Sequence, residues 1–593
     1  MMQLYRSFVF IVTSLIVLCG LGCGPAGSDG EKPATGLEGL WVAQRDYGPE
    51  VHGTLDLFER DDGWSARIAG FTAPVRVDGD SVTFEIEGDR GAFRGRIESN
   101  EGSIDGHWIQ PPTAANGVRF ASPIDLQLRE RGHWRGEVTP LDDTMTFFLS
   151  LTRNEDDSIG GFLRNPEANF GRYFDIRQVV RDGDRLRFIE PDQPEARLEG
   201  SYYPDYDAFS IFIPDAGGTF DFTRVDDDSA STFYPRPTSA GRYVYHPPAP
   251  EDDGWETGSL EEVGMVVGPI EEMIQMIIDT PMDSITAPYI HAVLIARHGK
   301  LVLEEYFHGY SADTPHETRS ASKTVTSTLI GLAIHEGVPL SVDSRVYSVM
   351  SGRELPDDLD PRKERMTLKH LLTMTPGLAC DDNDSDSPGN ESTMQSQTDQ
   401  PDWLRYTLDL PMAHEPGEVA AYCSASTNLA GGVLSQATGS WRPDLYRRYF
   451  ARPMQMGLYH MNLMPTGEGY GGGGLHIRGR DFLKMGQIFL DGGNWNNRKL
   501  LDDDWVRDAV SPLERMFDQG YGYAWWVMPF PYEDRTVQAF YAGGNGGQYV
   551  IGVPELGLVI VFFAGNYGQR VTHLVKTEHV PKYIIRAVEW GEE

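Results

Sequence analysis

Residues 318–324 read Thr-Arg-Ser-Ala-Ser-Lys-Thr and place Ser320 three positions before Lys323. The residues after them carry apolar side chains at the i, i+4, i+7, i+8 spacing of a helix with one buried face, at Val325, Leu329, Leu332 and Ala333. Residues three apart on a helix share a face, so the Lys323 ammonium can approach the Ser320 hydroxyl. Because a serine hydroxyl is a weak nucleophile without a neighbouring proton acceptor, the pair predicts a nucleophilic serine. The alternative is a capped helix start with Lys323 in solvent.

Signatures of other enzyme classes are missing from the sequence. No Gly-x-Ser-x-Gly elbow, P-loop or dinucleotide fingerprint stands in the required context. The His-Glu pairs at 316–317, 335–336 and 414–415 lack the second His of a zinc-protease motif. Four cysteines are too few for a Cys-rich metal site. We therefore expect no metal and no cofactor.

Two further segments follow in order. Residues 367–378 read Thr-Leu-Lys-His-Leu-Leu-Thr-Met-Thr-Pro-Gly-Leu, and residues 416–424 read Pro-Gly-Glu-Val-Ala-Ala-Tyr-Cys-Ser. With 318–324 they resemble the serine β-lactamase and penicillin-recognising superfamily, especially its class C-like esterase and amidase branch. The Tyr-Cys-Ser form, with Cys380-Asp381-Asp382 upstream, is most similar to the 6-aminohexanoate-dimer hydrolase-like group. The resemblance covers about residues 260–590.

The resemblance implies roles for the residues of these motifs. Ser320 would be the nucleophile, Lys323 its partner base, and Tyr422 the second base or acid that serves the leaving group. Ser424 stands where the commoner Tyr-x-Asn form has Asn. Its hydroxyl can still form a hydrogen bond to substrate, but with shorter reach.

The third motif of the superfamily, Lys-Thr-Gly or His-x-Gly, corresponds to residues 541–548, Tyr-Ala-Gly-Gly-Asn-Gly-Gly-Gln. Counting back from Val553-Pro554-Glu555, where relatives have Asp-Pro-Glu, places Ala542, Gly543 and Gly544 on the motif. The resemblance then implies that the Asn545 amide joins that of Ser320 as an oxyanion donor. A register with residues 544–546 on the motif and a glycine-rich hairpin without a catalytic role are the alternatives.

Ala542 replaces the motif's cation or histidine in this register. A β-lactam carboxylate would lose a charge-assisted contact, so we predict that esters or small amides are preferred over β-lactams. Arg478 and Arg480 could compensate, but we do not assign them that role.

The N-terminus predicts export. Arg6 precedes the mainly apolar run 8–18, which is too short to span a bilayer and is typical of a signal peptide. Cys19-Gly20-Leu21-Gly22-Cys23 resembles a bacterial lipobox, although Gly20 replaces the usual Leu. We expect a signal peptide at 1–22, lipidation of Cys23 and a tether at 23–36, hence a lipid-anchored protein of the bacterial cell envelope. An ordinary signal peptide with an incidental Cys is the alternative.

Two cysteines lie in the second half of the chain. Cys380 and Cys423 both lie in the part of the chain that carries the motifs, and an exported protein faces an oxidising compartment. A disulfide beside Tyr422 and two buried free thiols both remain open.

Length and charge bound the remaining possibilities. The 593 residues predict two or three domains, and 51 Lys+Arg against 88 Asp+Glu give a formal net charge of -37. That charge excludes nucleic acid as a partner and limits membrane contact to the lipid anchor.

Composition changes along the chain predict the domains. Residues 37–234 have short β-rich runs between Asp-Gly turns and weak internal similarity, which predicts all-β barrels or sandwiches near 37–130 and 131–234. Residues 235–259 are proline-rich and acidic, typical of a solvated linker. Residues 260–593 predict an α+β domain, an antiparallel sheet with a helical insertion, that folds by itself.

These observations favour an exported serine hydrolase that cleaves a small ester or amide through a Ser320 acyl-enzyme. The alternatives are a β-lactamase or D-Ala-D-Ala peptidase, and a non-catalytic cell-envelope lipoprotein whose N-terminal β region is a binding module.

Overall fold

The computed structural model describes residues 36–61, 63–98, 102–113, 117–166, 174–191, 195–196, 198–226, 232–237, 241–353, 359–399, 401–532 and 534–589. The expected signal peptide, Cys23 and all of the tether except Gly36 lie outside these residues. No described helix combines the length and the apolar character needed to cross a membrane.

The N-terminal region consists of β-strands, as predicted. They are β1 (Gly39–Asp46), β2 (Gly53–Arg60), β3 (Gly63–Ile68), β4 (Phe71–Asp78), β5 (Ser81–Glu85), β6 (Ala92–Glu98), β7 (Ser103–Gln110), β8 (Phe120–Glu130), β9 (His133–Val138), β10 (Thr144–Arg153), β11 (Ile159–Arg164), β12 (Phe174–Ile176), β13 (Gln178–Asp182), β14 (Arg185–Ile189), β15 (Leu198–Tyr203), β16 (Ala208–Ile213) and β17 (Gly218–Val225).

These strands form two barrel-like units. Strands β2 to β9 pair in sequence, and β9 pairs with both β2 and β8, which closes a barrel around one apolar cluster. The second unit has the strand order β12-β11-β10-β1-β17-β16-β15-β14-β13 around its own apolar cluster.

The two units do not divide at residue 130, where the sequence similarity placed the boundary. Strand β1 pairs with β10 and β17 of the second unit, while β9, which begins at His133, completes the first. The first barrel is thus an insertion within the second. Hydrogen bonding between distant strands, rather than chain order, decides this division.

The C-terminal region contains both strands and helices. The strands are β18 (Glu256–Thr257), β19 (Ile290–Arg297), β20 (Lys300–Tyr306), β21 (His316–Glu317), β22 (Tyr459–Asn462), β23 (His476–Ile477), β24 (Asn494–Trp495), β25 (Arg498–Lys499), β26 (Glu514–Met516), β27 (Gln519–Tyr521), β28 (Trp526–Tyr532), β29 (Arg535–Gly544), β30 (Gln548–Val553) and β31 (Leu558–Ala564). The α-helices are α1 (Val267–Ile278), α2 (Ser322–His335), α3 (Val346–Val349), α4 (Leu368–Leu372), α5 (Glu391–Gln395), α6 (Trp403–Asp409), α7 (Ser424–Thr438), α8 (Arg442–Tyr446), α9 (Gly479–Leu490) and α10 (Asp503–Ala509).

The main sheet has the order β18-β20-β19-β31-β30-β29-β28-β27-β26. Its pairings are antiparallel except for β18 with β20. Helices α2 to α10 lie between β20 and β26 in the chain, which confirms the predicted antiparallel sheet with a helical insertion. The sheet separates two apolar clusters, one shared with α2 and α9 and the other with α1 and the C-terminal π-helix Val575–Ile585.

The segment 241–259 is packed on this domain and is not a solvated linker. Tyr243 and Trp255 are buried, and Glu256–Thr257 adds a strand beside β20. The proline and acidic content suggested exposure, but aromatic side chains within the segment bury enough apolar surface to hold it.

The first barrel continues into the C-terminal domain through backbone hydrogen bonds. Met461 and Asn462 of β22 pair with Ala121 and Phe120 of β8. Strand β22 then pairs with β23, and β23 with β21, two residues before Arg319. The barrel sheet therefore extends to the turn that carries Ser320.

Side-chain contacts join the C-terminal domain to both N-terminal units, at one junction with the first barrel and at another with the second unit. Arg447 and Arg452 pair with Asp105 and Asp125 of the first barrel. Arg164 of the second unit donates to the carbonyl oxygens of Ser284 and Ile285 at 3.1 and 2.7 Å. The two halves share buried polar surface, which the prediction of separable modules did not include.

Six histidines lie at or next to these junctions, five of them buried and His476 half-buried: His107, His291, His308, His316, His460 and His476. Burial lowers the pKa of each, to about 3 for His308, His316 and His476. The folded protein therefore holds these imidazoles neutral at pH values at which an unfolded chain protonates them.

We expect the free energy of unfolding to fall as the pH drops below about 6.5, because the unfolded chain then takes up protons that the folded chain excludes. The loss of unfolding free energy per histidine grows as the pH falls toward the pKa of the folded state, and it amounts to about 2 kcal/mol at about pH 5. Urea midpoints at about pH 7.5 and about pH 5 measure it.

His460→Gln is the control for this prediction, because glutamine can keep the hydrogen bond that Ser122 Oγ makes to His460 Nδ1 at 2.7 Å. The variant should lose less stability on acidification than the wild type. Asp105 works in the opposite direction, since burial raises its pKa to about 6. Equal midpoints at both pH values would contradict the prediction.

Candidate active site

Ser320 lies in a short 3₁₀ turn, Arg319–Ala321, that leads directly into helix α2. Arg319 has a φ of 49°, a left-handed conformation that costs energy for a residue with a side chain. The helix then places Lys323 one turn after the serine, and its Nζ donates to Ser320 Oγ at 3.1 Å. The structure therefore brings together the Ser–Lys pair that the sequence predicted.

Lys323 is buried among polar groups. Lys323 is only 2% exposed, and its Nζ also donates a hydrogen bond to the Gly472 carbonyl oxygen at 2.6 Å. Burial lowers the pKa of Lys323, but nearby Tyr422, Glu391 and Asp382 outweigh it, so the pKa lies above its usual value. An ammonium is thus the resting form at neutral pH, and Lys323 must release a proton before it can act as a base.

Tyr422 lies against the same ammonium. Nζ of Lys323 is 5.0 Å from the centre of the Tyr422 ring, and the nearby Tyr422 hydroxyl group contributes to the raised pKa of Lys323. The Trp526 ring stacks on the Tyr422 ring, with the two ring centroids 5.8 Å apart. The phenol is therefore held where it can exchange a proton with Lys323.

Ser424 does not reach the cavity, in contrast to its predicted role in substrate binding. It is fully buried at the start of α7, and its amide and Oγ donate to Asp382 Oδ2 at 2.8 and 2.6 Å. Asp382 in turn acts on Lys323 through its charge. The serine positions a carboxylate, a function that the Tyr-x-Ser spacing alone did not reveal.

The structure decides between the two alternatives for the cysteines. Cys380 and Cys423 form a disulfide with a Cα–Cα distance of 5.7 Å. The bond joins the segment that carries Asp382 to the residue next to Tyr422.

The end of strand β29 passes close to the turn that carries Ser320. A Cβ on Gly544 would lie 2.2 Å from the Thr318 carbonyl oxygen and 3.1 Å from Arg319 Cβ. Gly543, Gly544 and Asn545 line the cavity next to Ser320, whereas Ala542 is fully buried in the apolar cluster that contains Ala321. Ala542 therefore does not bind substrate, because alternation along the strand turns it into the core.

Asn545 is exposed, and its side-chain Oδ1 accepts from the Gly568 amide at 2.7 Å. The oxyanion role of its own amide stays a prediction.

We expect Gly544→Ala to lower kcat/KM by about 100-fold, because the added methyl group must push away the turn that carries Ser320. A displacement of a reacting group by about 1 Å can lower the rate by about that factor. Hydrolysis of p-nitrophenyl acetate measures the effect. Gly268→Ala is the matched control, since a Cβ there meets nothing within 4 Å. Wild-type kcat/KM in Gly544→Ala would contradict the close approach.

Ser320 and Tyr422 open onto a cavity of about 480 Å³. Aromatic side chains form much of its wall: Tyr422, Phe517, Trp526, Tyr541 and Tyr549. Its basic residues come from one segment near the C-terminus, namely Arg570, His573 and Lys576. A cavity of this size suits a small molecule.

Arg478 and Arg480 lie elsewhere. Arg480 is buried and bonds to Glu304, and Arg478 donates to Asp481 Oδ2 at 2.9 Å. Neither residue lines the cavity.

Sequence reasoning missed Lys576. The residue is buried, and its Nζ donates to the Tyr541 hydroxyl at 2.9 Å and lies 4.2 Å from the centre of that ring. Burial lowers the pKa of Lys576 to about 8. No motif marks this lysine, because it lies in the final helix, far in sequence from Ser320.

Residues 283–572, a little less than half of the chain, match the Beta-lactamase family model. This part of the chain is a beta-lactamase-family domain. It belongs to the serine hydrolase superfamily, as the motifs predicted. Within the residues described, no group of three or more His, Cys, Asp or Glu side chains could hold a metal ion.

Relatives of this beta-lactamase-family domain carry several names. The 6-aminohexanoate-dimer hydrolase of Paenarthrobacter ureafaciens is 24% identical over 268 residues, which span 43% of this chain and 65% of that protein, just under two thirds. Among solved structures, EstCE1, a hydrolase with promiscuous acyltransferase activity, is 17% identical with a TM-score of 0.43, covering 54% of this chain and 98% of its own. A family VIII carboxylesterase is 14% identical with a TM-score of 0.42, covering 51% and 93%.

Proposed function

We propose that this protein is a serine hydrolase that cleaves an ester or a small amide through a covalent acyl-enzyme on Ser320. The observation that carries the proposal is the 3.1 Å hydrogen bond from buried Lys323 to Ser320 Oγ at the wall of a small-molecule cavity. An ammonium hydrogen-bonded to a serine hydroxyl stabilises the alkoxide that forms during attack.

In the reactive form of the enzyme, the Lys323–Tyr422 pair has lost one proton, so that Tyr422 is a phenolate beside the Lys323 ammonium. In the first half-reaction, Ser320 Oγ bonds to the substrate carbonyl carbon while its proton passes, by way of Lys323, to the Tyr422 phenolate. The amides of Ser320 and Asn545 donate to the developing oxyanion. Tyr422 then gives the proton to the leaving alcohol or amine, and the bond to that group breaks. In the second half-reaction, water attacks the carbonyl carbon of the acyl-enzyme while the Tyr422 phenolate accepts its proton. The bond from Ser320 Oγ to that carbon then breaks, Tyr422 returns the proton to Oγ, and the acid product leaves.

Asp382 and Glu391 maintain the charge on Lys323. Their negative potential favours the ammonium form, and Ser424 fixes Asp382 with two hydrogen bonds. The disulfide holds Cys423, between Tyr422 and Ser424, against the Asp382 segment. These contacts keep the proton-transfer groups in a fixed arrangement.

Export and lipid anchoring through Cys23 are part of the proposal. A structural disulfide is typical of an oxidising compartment. Expression of Cys23→Ser in a bacterial host should move the protein from the membrane fraction to the soluble fraction, and an unchanged distribution would contradict the anchor. A ligand-binding role for the N-terminal barrels stays a prediction.

Labelling with a fluorophosphonate, followed by intact mass spectrometry, tests the acyl-enzyme. We expect one adduct, located on the peptide that contains Ser320, and turnover of p-nitrophenyl acetate by the same preparation. The absence of both an adduct and turnover would favour a non-catalytic lipoprotein. Comparison of nitrocefin and the 6-aminohexanoate dimer with the ester then separates β-lactamase, amidase and esterase activities.

A further inference from the structure

Three exposed aromatic side chains lie in one hairpin of the second barrel-like unit. Tyr206 is 82% exposed, Phe212 58% and Tyr203 46%. Tyr203 ends strand β15, Phe212 lies in β16, and Tyr206 lies in the 3₁₀ turn between the two strands. Exposed apolar side chains that are grouped rather than scattered mark a surface that contacts a partner. We call these three residues the aromatic patch.

The strand register places Tyr203 and Phe212 on the same outer face of the unit. Tyr203 pairs with Ala208, and the residues of β16 that alternate with Ala208 and Phe212, namely Phe209 and Ile211, are buried in the apolar cluster of this unit. Because alternate residues of a strand point to the same side, Phe212 lies on the face of Tyr203 and Ala208. The aromatic patch therefore faces solvent, and the unit cannot bury it in its own core.

The expected tether joins the unit directly beside the aromatic patch. Arg224 Nη2 donates to the Gly36 carbonyl oxygen at 2.9 Å and to Asp207 Oδ1 at 3.2 Å, and Arg224 Nε donates to Asp207 Oδ2 at 2.6 Å. Asp207 directly follows Tyr206, and Gly36 is the end of the expected tether. The point from which the chain runs back toward Cys23 thus lies next to Tyr206.

The length of the tether limits how far the patch can be from a bilayer. Residues 24–36 separate Cys23 from the unit, and a chain of that length spans at most about 45 Å. A lipid on Cys23 would hold the patch at an effective concentration in the millimolar range relative to the bilayer surface. Aromatic rings are favoured at the headgroup level of a membrane, so a weak affinity of the patch for lipid is enough to seat it there.

We propose that the aromatic patch docks on the headgroup region of a zwitterionic bilayer, so that the second unit rests against the membrane that holds Cys23. This inference rests on the lipid anchor in the proposed function. It extends the expectation that the anchor alone contacts the membrane. The position beside the tether favours lipid over a cell-wall glycan, and the net charge of -37 favours a zwitterionic surface over an anionic one.

A fluorophore at position 201 tests the docking. Ser201 is exposed on the same face as Tyr203, and Ser201→Cys keeps all three aromatic side chains. The new thiol can be labelled selectively in the full chain, because Cys380 and Cys423 form a disulfide and Cys23 would carry the lipid. With nitrobenzoxadiazole on this thiol and the protein in phosphatidylcholine vesicles that contain doxyl-labelled acyl chains, we expect a blue-shifted emission that the doxyl groups quench.

Phe212→Ser, added to the labelled protein, should lower the ratio of docked to undocked protein by about tenfold. This is the effect of removing one aromatic side chain from an apolar environment. Phe212 is exposed, so the fold should not depend on it, and circular dichroism checks this. An unchanged ratio in this variant would overturn the role of the patch.

Thr72→Cys with the same label is the matched control. Thr72 is likewise exposed on a strand, β4 of the first barrel, and lies outside the patch. Its emission should stay that of a label in water. Equal quenching at both positions would overturn a specific docking face. A Ser201 label that responds to purified peptidoglycan but not to vesicles would assign the patch to a glycan and overturn the proposal as well.

Intact mass spectrometry separates this inference from the proposed anchor. If Cys23 carries acyl chains and the Ser201 label shows no shift, the patch is overturned while the anchor stands. If Cys23 is not acylated, the anchor fails, and the chain from residue 24 onward, labelled at Ser201→Cys, tests the patch with vesicles at millimolar lipid. A blue shift there that Phe212→Ser removes supports the patch by itself, and the absence of a shift overturns it.

Discussion

Replacing Ser320 with alanine should lower kcat by about 10⁶-fold, the scale on which deletion of a nucleophile acts. The substitution removes the atom that forms the acyl bond and leaves Lys323 with its hydrogen bond to Gly472. The helix should form unchanged, since alanine is favoured in helices. Hydrolysis of p-nitrophenyl acetate and covalent labelling by a fluorophosphonate should both disappear.

Ser327→Ala is the control for that experiment. Ser327 lies on the same helix α2, is buried, and its Oγ has no hydrogen-bond partner within the described part of the chain. Its replacement should leave turnover and stability close to wild type. Turnover in Ser320→Ala that persists after contamination with wild-type enzyme is excluded would remove the nucleophile assignment.

Deleting the N-terminal barrels should abolish soluble, active enzyme, the opposite of what composition suggested. A fragment of residues 235–593 exposes the edge of β22, which pairs with β8 in the full chain. It also leaves Arg447 without Asp105 and Asp125. An unpaired sheet edge promotes aggregation. The exposed edge of β22 would also lie close to the site, because β22 pairs with β23 and β23 pairs with β21, just before the turn that carries Ser320.

Soluble yield, circular dichroism and ester hydrolysis of the fragment, compared with the chain from residue 24 onward, measure this effect. Arg447→Met gives a milder version, because it removes the buried one of the two cations that pair with Asp105 and Asp125 and leaves Arg452. It should destabilise the protein by about 1.5–3 kcal/mol, the contribution of a hydrogen bond to a charged group. A soluble fragment with full kcat/KM would show that the barrels are dispensable.

Much of the C-terminal domain could be predicted because its signals are local. Ser320 and Lys323 meet within one helical turn, so their spacing implies their contact. The strands 290–303 and 558–563 and the final helix are visible as apolar runs. The disulfide could only be left open, since pairing depends on the distance between Cys380 and Cys423 in the fold.

The N-terminal region was harder to divide. Its strands and turns follow from alternation and Asp-Gly pairs, but the insertion of one barrel within the other depends on β1 pairing with β10 and β17, about a hundred residues or more away. The segment 241–259 shows the same limit, since Tyr243 and Trp255 become buried only against elements that follow later in the chain.

By itself, the sequence determined the superfamily and predicted Ser320, Lys323 and Tyr422 as site residues, because these depend on residue identity at short or ordered spacing. The tertiary structure alone decided that Ser424 serves Asp382, that Ala542 faces the core, and that the cations of the cavity come from residues 570–576. The physical reason is that substrate meets a surface assembled from distant segments. Which side chains share that surface is set by strand order, side-chain alternation and the packing of the last helix, none of which is encoded in a contiguous motif.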